Sequence, residues 1–178
     1  MIMHPFRRTS LLTILLFFAA TSLLAQDGEV SSEASWTETE TEVQALIGEE
    51  GTHVVHFWAP WCHNSRHEFR QNVWGQVIEA HPDINYIFVT VYNNGELSED
   101  MLERYDLLDK VTTFAQPDHG SSRTRANRRR SFMDLPITWT PTTWIFHNGK
   151  LAAAFNYGEV DAELMNKMLD WVAKDWNL

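Results

Sequence analysis

Short β-branched and aromatic runs alternate along the chain with segments whose apolar positions recur at helical spacing. Thr52–Trp58 and Ile84–Tyr92 are the strongest runs, and Ile84–Tyr92 is apolar on both faces, which predicts a strand covered by helices on either side. Between them, Phe69, Val73, Trp74, Val77 and Ile78 predict one long helix from about Cys62 to Ala80, stopped by His81-Pro82. Upstream, Glu38–Ile47 reads as a helix with Val43, Leu46 and Ile47 on one side and Gly48 at its end. Downstream, Ser98 reads as the cap of a helix whose inward stripe is Met101, Leu102, Tyr105 and Leu108. A weaker strand, Val111–Ala115, is followed by an Arg-rich helix reaching about Phe132. Thr142–His147 and Lys150–Asn156 form a hairpin around Asn148-Gly149, and Asp161 caps a last helix with Leu164, Met168, Trp171 and Val172 inward.

This order predicts an α/β fold, a central mixed β-sheet with helices on both faces, in one domain over residues 38–178. A length of 178 residues with 44% hydrophobic content and eight Trp is enough for an aromatic-rich core and excludes a largely disordered chain. The net charge of −10 argues against non-specific binding of nucleic acid or anionic lipid. Five arginines nevertheless crowd into Arg123–Arg130. They read either as a solvated surface or as a dock for an acidic partner or for the carboxylates of glutathione.

The first 25 residues carry Arg7 and Arg8, an apolar run Leu11–Ala20, and small residues near Ala20, Ser22 and Ala25. That is the layout of a secretory signal, and the apolar run falls short of the about 20 residues of a spanning helix. An acidic linker, residues 26–37, follows. The expected destination is the periplasm or the exterior, with contact to the inner membrane only if the signal stays uncut.

Cys62 is the sole cysteine, so an internal disulfide, a Cys-only metal cluster and a dithiol redox couple are all excluded. It follows the first strand of the sheet after a three-residue link and opens a helix. In this class of sheet, chemistry sits beyond the carboxyl ends of the strands. Unpaired N–H groups and the helix dipole favour a thiolate at such a place, and a thiolate attacks disulfides or holds soft metals. The other reading is an inert core cysteine. An exposed odd cysteine can also link two copies into a dimer.

His56-Phe57-Trp58-Ala59-Pro60-Trp61-Cys62 resembles the segment leading into the W-C-x-x-C site of the thioredoxin superfamily. Thr140-Pro141-Thr142-Thr143-Trp144-Ile145-Phe146, with Asn148-Gly149-Lys150 after it, resembles that family's cis-proline loop, strand and hairpin. The two motifs stand in the family's order, and the resemblance covers about Glu38 to Trp176. Arg66, Glu68 and Phe69, with an extra strand and helix before the proline loop, are most similar to the periplasmic TlpA/ResA-like branch, many of whose members serve cytochrome c maturation. The resemblance implies thiol–disulfide exchange with protein or small-molecule thiols and disulfides, no cofactor, Cys62 as nucleophile, and Trp61, His63, Thr140 and a cis Pro141 facing the substrate.

Two departures from the family pattern matter. Ser65 replaces the second cysteine, giving Cys62-His63-Asn64-Ser65, so a mixed disulfide at Cys62 has no internal thiol to resolve it. A self-sufficient dithiol reductase or oxidase is therefore excluded, although Ser65 can still hydrogen-bond the sulfur. His56 replaces the buried Asp or Asn beneath the active cysteines. It is either a proton shuttle or a neutral core histidine. Glu68 matches a carboxylate that the resemblance places near the active cysteine; the alternative is an exposed charge. No metal site is expected, because Cys62 and His67 are five apart on a helix and share no face well, even with His63 between them. The rival to exchange chemistry is a degenerate, non-catalytic module that binds a peptide or a partner protein; a copper- or zinc-binding role ranks behind both.

Overall fold

Residues 36–176 are described by a computed structural model of the chain. The expected signal segment and almost all of the acidic linker lie outside the described residues. Among the described residues, no helix is long and apolar enough to cross a membrane.

Among the described residues, seven strands and five helices follow one another: α1 (Glu38–Ile47), β1 (Thr52–Trp58), α2 (His63–Arg70), α3 (Val73–Ala80), β2 (Asn85–Thr90), α4 (Glu99–Arg104), β3 (Thr112–Ala115), β4 (Ser131–Phe132), β5 (Leu135–Pro136), β6 (Thr142–His147), β7 (Lys150–Asn156) and α5 (Ala162–Val172). The five-stranded sheet has the order β3-β2-β1-β6-β7. The β1–β2 and β2–β3 pairs are parallel, and β1–β6 and β6–β7 are antiparallel. This is the mixed sheet with helices on both faces that the alternation predicts. Asn148 and Gly149 both take positive φ in the β6–β7 turn, as a two-residue hairpin requires.

Strand alternation splits the core in two. Val54, Trp58, Phe88 and Ile145 point to one face and pack under α3, α4 and α5 with Phe69 of α2. Val55, Phe57, Val89 and Trp144 point to the other, against Val43 and Ile47 of α1 and Phe132 and Ile137 near the β4–β5 hairpin. A fully buried large apolar side chain contributes about 1.5–3 kcal/mol, so these two aromatic layers dominate the stability. The second layer is also pinned by a buried carboxylate. Glu40 accepts from Thr37 N–H (2.7 Å) to close a capping box on α1, and accepts from Met133 N–H (2.8 Å) in the β4–β5 turn.

Four expectations need correction. The helix from Cys62 to Ala80 is two helices, α2 and α3, broken at Asn72, whose φ of 54° is left-handed. Asn tolerates that conformation better than most residues. The Arg-rich helix is absent: the segment holds one 3₁₀ turn, Arg125–Asn127, because it has no apolar stripe to bury. Hydrogen bonds from Ser122 N to Asn94 Oδ1 and from Arg129 N to Asp118 Oδ1 hold it instead. Ser98 makes no side-chain cap; its Oγ accepts from Asn93 Nδ2 at 3.1 Å. In α5 Val172 is buried as expected, but Met165 and Leu169 take the inward places expected of Leu164 and Met168, and Leu164 is exposed.

Candidate active site

β1 runs straight into the site. Its last residue, Trp58, is buried, and a tight turn closed by Cys62 N–H donating to Ala59 O (3.0 Å) delivers Cys62 to the N-terminal end of α2. Cys62 is half-buried and free. Its backbone is extended and its carbonyl accepts the first helical bond, from Arg66 N–H at 3.2 Å. The thiol donates to the carbonyl of Thr140 (3.3 Å), which precedes the cis Thr140–Pro141 bond. The two motifs, 78 residues apart in sequence, thus meet at one hydrogen bond.

Trp61 forms the exposed lip beside the sulfur, fixed by its indole N–H donating to Tyr92 O at 2.9 Å. The guanidinium of Arg128 lies 4.9 Å over the Trp61 ring and 5.5 Å over that of Tyr92. His63 is exposed at the start of α2 and stacks on His67, one turn later, at 6.3 Å between ring centroids. Among the described residues no group of three or more His, Cys, Asp or Glu side chains is placed to hold a metal.

Ser65 is fully buried, and its Oγ accepts from Ala59 N–H (3.3 Å). Its hydrogen bond therefore braces the turn that carries Cys62, rather than running to the sulfur.

Beneath α2, His56 is fully buried among Trp74, Phe88 and Phe69, with ring centroids 4.4, 4.9 and 6.4 Å away. Nδ1 faces Thr143 Oγ1 at 3.0 Å, across the β1–β6 pairing in which these two residues are opposed. Nε2 faces Glu68 Oε2 at 3.4 Å. Burial pushes the His56 pKa down to about 3, so its imidazole is neutral at ordinary pH. Burial raises the Glu68 carboxyl to about 7, with the nearby Trp74 indole pulling the other way. Apart from each other, His56 Nε2 and Glu68 Oε2 meet no hydrogen-bonding partner. Between about pH 3 and pH 7 the pair thus holds one proton between two atoms, on whichever side it sits.

Thr143 and Tyr92 escape the sequence reading as site residues, and Arg128 enters it only as one of five arginines that could dock an acidic group. Thr143 is open to it, since it is opposed to His56 once β1 and β6 are paired antiparallel. Tyr92 and Arg128 reach Trp61 only through loops, so no periodicity marks their contact with it.

A thioredoxin-like domain family matches residues 39–173, and the chain belongs to it. Among solved structures, the chain is similar to a secreted Mycobacterium tuberculosis disulfide oxidoreductase homologous to E. coli DsbE (17% identity, 71% of this chain and 84% of that one, TM-score 0.49). It is similar also to StoA from Bacillus subtilis (19%, 68% and 85%, TM-score 0.47) and to a thiol:disulfide interchange protein from Chlorobium tepidum (19%, 72% and 82%, TM-score 0.49). No curated protein matches the chain.

Proposed function

We propose that this protein carries out thiol–disulfide exchange through one sulfur, forming a mixed disulfide at Cys62 that an external thiol must resolve. The observation that carries the reading is the Cys62 thiol against Thr140 O, half-exposed at the mouth between the Trp61 lip and the proline loop. In the forward step the Cys62 thiolate attacks one sulfur of a substrate disulfide. A Cys62–S bond forms, the substrate S–S bond breaks, and the departing thiolate takes a proton from water. In the second step an outside thiolate attacks the mixed disulfide and frees Cys62. The Thr140 carbonyl aligns the thiol before reaction, Ser65 holds the turn rigid, and His56 with Glu68 forms a proton-holding pair beneath it. Belonging to the thioredoxin-like family supports a thiol-based role in general. Export is part of the reading and rests on the basic-apolar-small pattern of residues 1–25. N-terminal sequencing of the protein recovered outside the cytoplasm checks it, and an intact Met1 contradicts a cut signal.

Titration with the neutral disulfide 4,4′-dithiodipyridine tests the exchange reading. The folded protein should release one equivalent of pyridinethione, and the Cys62→Ser variant none. Release only after unfolding would leave a non-catalytic binding module as the better account.

A further inference from the structure

Three of the five arginines of the irregular segment converge. Arg125, Arg128 and Arg130 line one cleft of about 170 Å³, with Tyr92, Trp139 and Thr140 among its other walls. Thr140 is the connection to the chemistry, since its carbonyl accepts the Cys62 thiol. Arg128 is a second connection: it stacks over Trp61, next to Cys62, and its Nε donates to Ser122 O at 2.7 Å, which fixes the guanidinium in place. Among the described residues none of the three guanidiniums pairs with a carboxylate. Asp118 acts on Tyr92 together with Arg128 and Arg130. On the far side of Trp139 the neighbouring cleft carries Glu159 instead. A chain of net charge −10 therefore concentrates unpaired positive charge on one side of its reactive sulfur.

We propose that this arginine-lined cleft binds the carboxylates of a small anionic disulfide or thiol, of the glutathione class, and so selects the partner that exchanges with Cys62. The proposal rests on the exchange reading above and names its substrate class. A carboxylate matches the planar guanidinium fork, and the cleft has room for a carboxylate-bearing end group rather than a folded surface. The reaction balances with the disulfide as oxidant. Cys62 forms an S–S bond to one half of glutathione disulfide, and the other half leaves as glutathione thiolate and is protonated by solvent. A second glutathione thiolate reverses the step.

The test compares rates of Cys62 adduct formation, by intact mass, with three disulfides: glutathione disulfide (anionic), 2-hydroxyethyl disulfide (neutral) and cystamine (cationic). The full chain should favour glutathione disulfide over cystamine by at least about tenfold at low salt, beyond their ratio with a free cysteine peptide. That preference should collapse in about 0.5 M salt, where screening is strong. In Arg125→Gln/Arg130→Gln the preference should fall about tenfold; in Arg70→Gln/Arg104→Gln, which removes the same charge from α2 and α4, it should persist. Equal preference in both double variants would overturn the charge-selective cleft while leaving exchange at Cys62 standing. Adducts with none of the three disulfides would overturn the exchange reading and this inference together.

Discussion

Replacing Ser65 by cysteine should convert a protein that stalls at a mixed disulfide into one that resolves it unaided. Positions 62 and 65 lie one turn apart at the start of α2, where side chains three residues apart are neighbours. Ser65 is fully enclosed, so a cysteine there is held near the Cys62 sulfur rather than released to solvent. An internal thiol acts at an effective concentration on the order of millimolar or more. Against an external thiol at roughly ten micromolar, the lifetime of a Cys62 adduct should shorten about a hundredfold. The Ser65→Cys variant should also acquire an oxidised form in which Cys62 is bonded to the introduced sulfur, lighter by two hydrogens in intact mass than the reduced one. The cost is the hydrogen bond from Ala59 N–H, which sulfur accepts weakly, so Ser65→Cys should lose about 1 kcal/mol of stability. Adducts that persist equally in both proteins would show that this turn does not bring the two positions within bonding reach.

The buried His56–Glu68 pair should make stability nearly flat where each member alone would tilt it. Glu68 has a folded pKa raised from the ordinary 4.5 to about 7, so its contribution is greatest below pH 4.5 and is lost as pH rises through 7. His56 has a folded pKa lowered from 6.5 to about 3, so its contribution is present above pH 6.5 and is lost as pH falls towards 3. Between pH 4.5 and 6.5 the two slopes oppose. The unfolded chain carries a protonated His56 and an ionised Glu68, while the folded pair holds one proton, so the proton count hardly changes. Moving that proton between Nε2 and Oε2 leaves this balance intact. Glu68→Gln should remove one slope, and its stability should rise with pH from about 3 to 6.5. His56→Asn should remove the other, and its stability should fall as pH rises from 4.5 to about 7. The ceiling over each window is about 3 kcal/mol for the Glu68 slope and about 5 kcal/mol for the His56 slope. Urea midpoints across about pH 3 to 8 measure all three proteins. Parallel pH profiles for the three would show that His56 and Glu68 do not share a proton in the folded state.

The sheet is legible because its signals are local and redundant. Thr52–Trp58 has no polar face to mistake, Asn148-Gly149 specifies its own turn, and Cys62 and Thr140-Pro141 carry family motifs that meet in space. The failures have physical causes. Asn72 breaks a helical pattern that stays periodic on both sides of it, because the left-handed residue re-aims α3 so that Trp74, like Phe69 before the break, packs against His56. The segment around Arg123–Arg130 is rich in helix-compatible residues but has no apolar stripe, so tertiary hydrogen bonds decide its course. Sequence position alone lets Ser65 hydrogen-bond the Cys62 sulfur; its actual bond, to Ala59 N–H, depends on a turn whose geometry no spacing reveals. The cleft of Arg125, Arg128 and Arg130 is the same kind of feature, since it exists only because that segment is irregular.

The most direct test of one-sulfur exchange is the fate of a single adduct. Folded protein is mixed with 2-hydroxyethyl disulfide, freed of excess reagent, and followed by intact mass with no thiol present. The account predicts one mercaptoethanol adduct per chain, on Cys62, stable until dithiothreitol or glutathione is added and then lost. A folded chain that takes up no adduct, or sheds it with no thiol present, would contradict it.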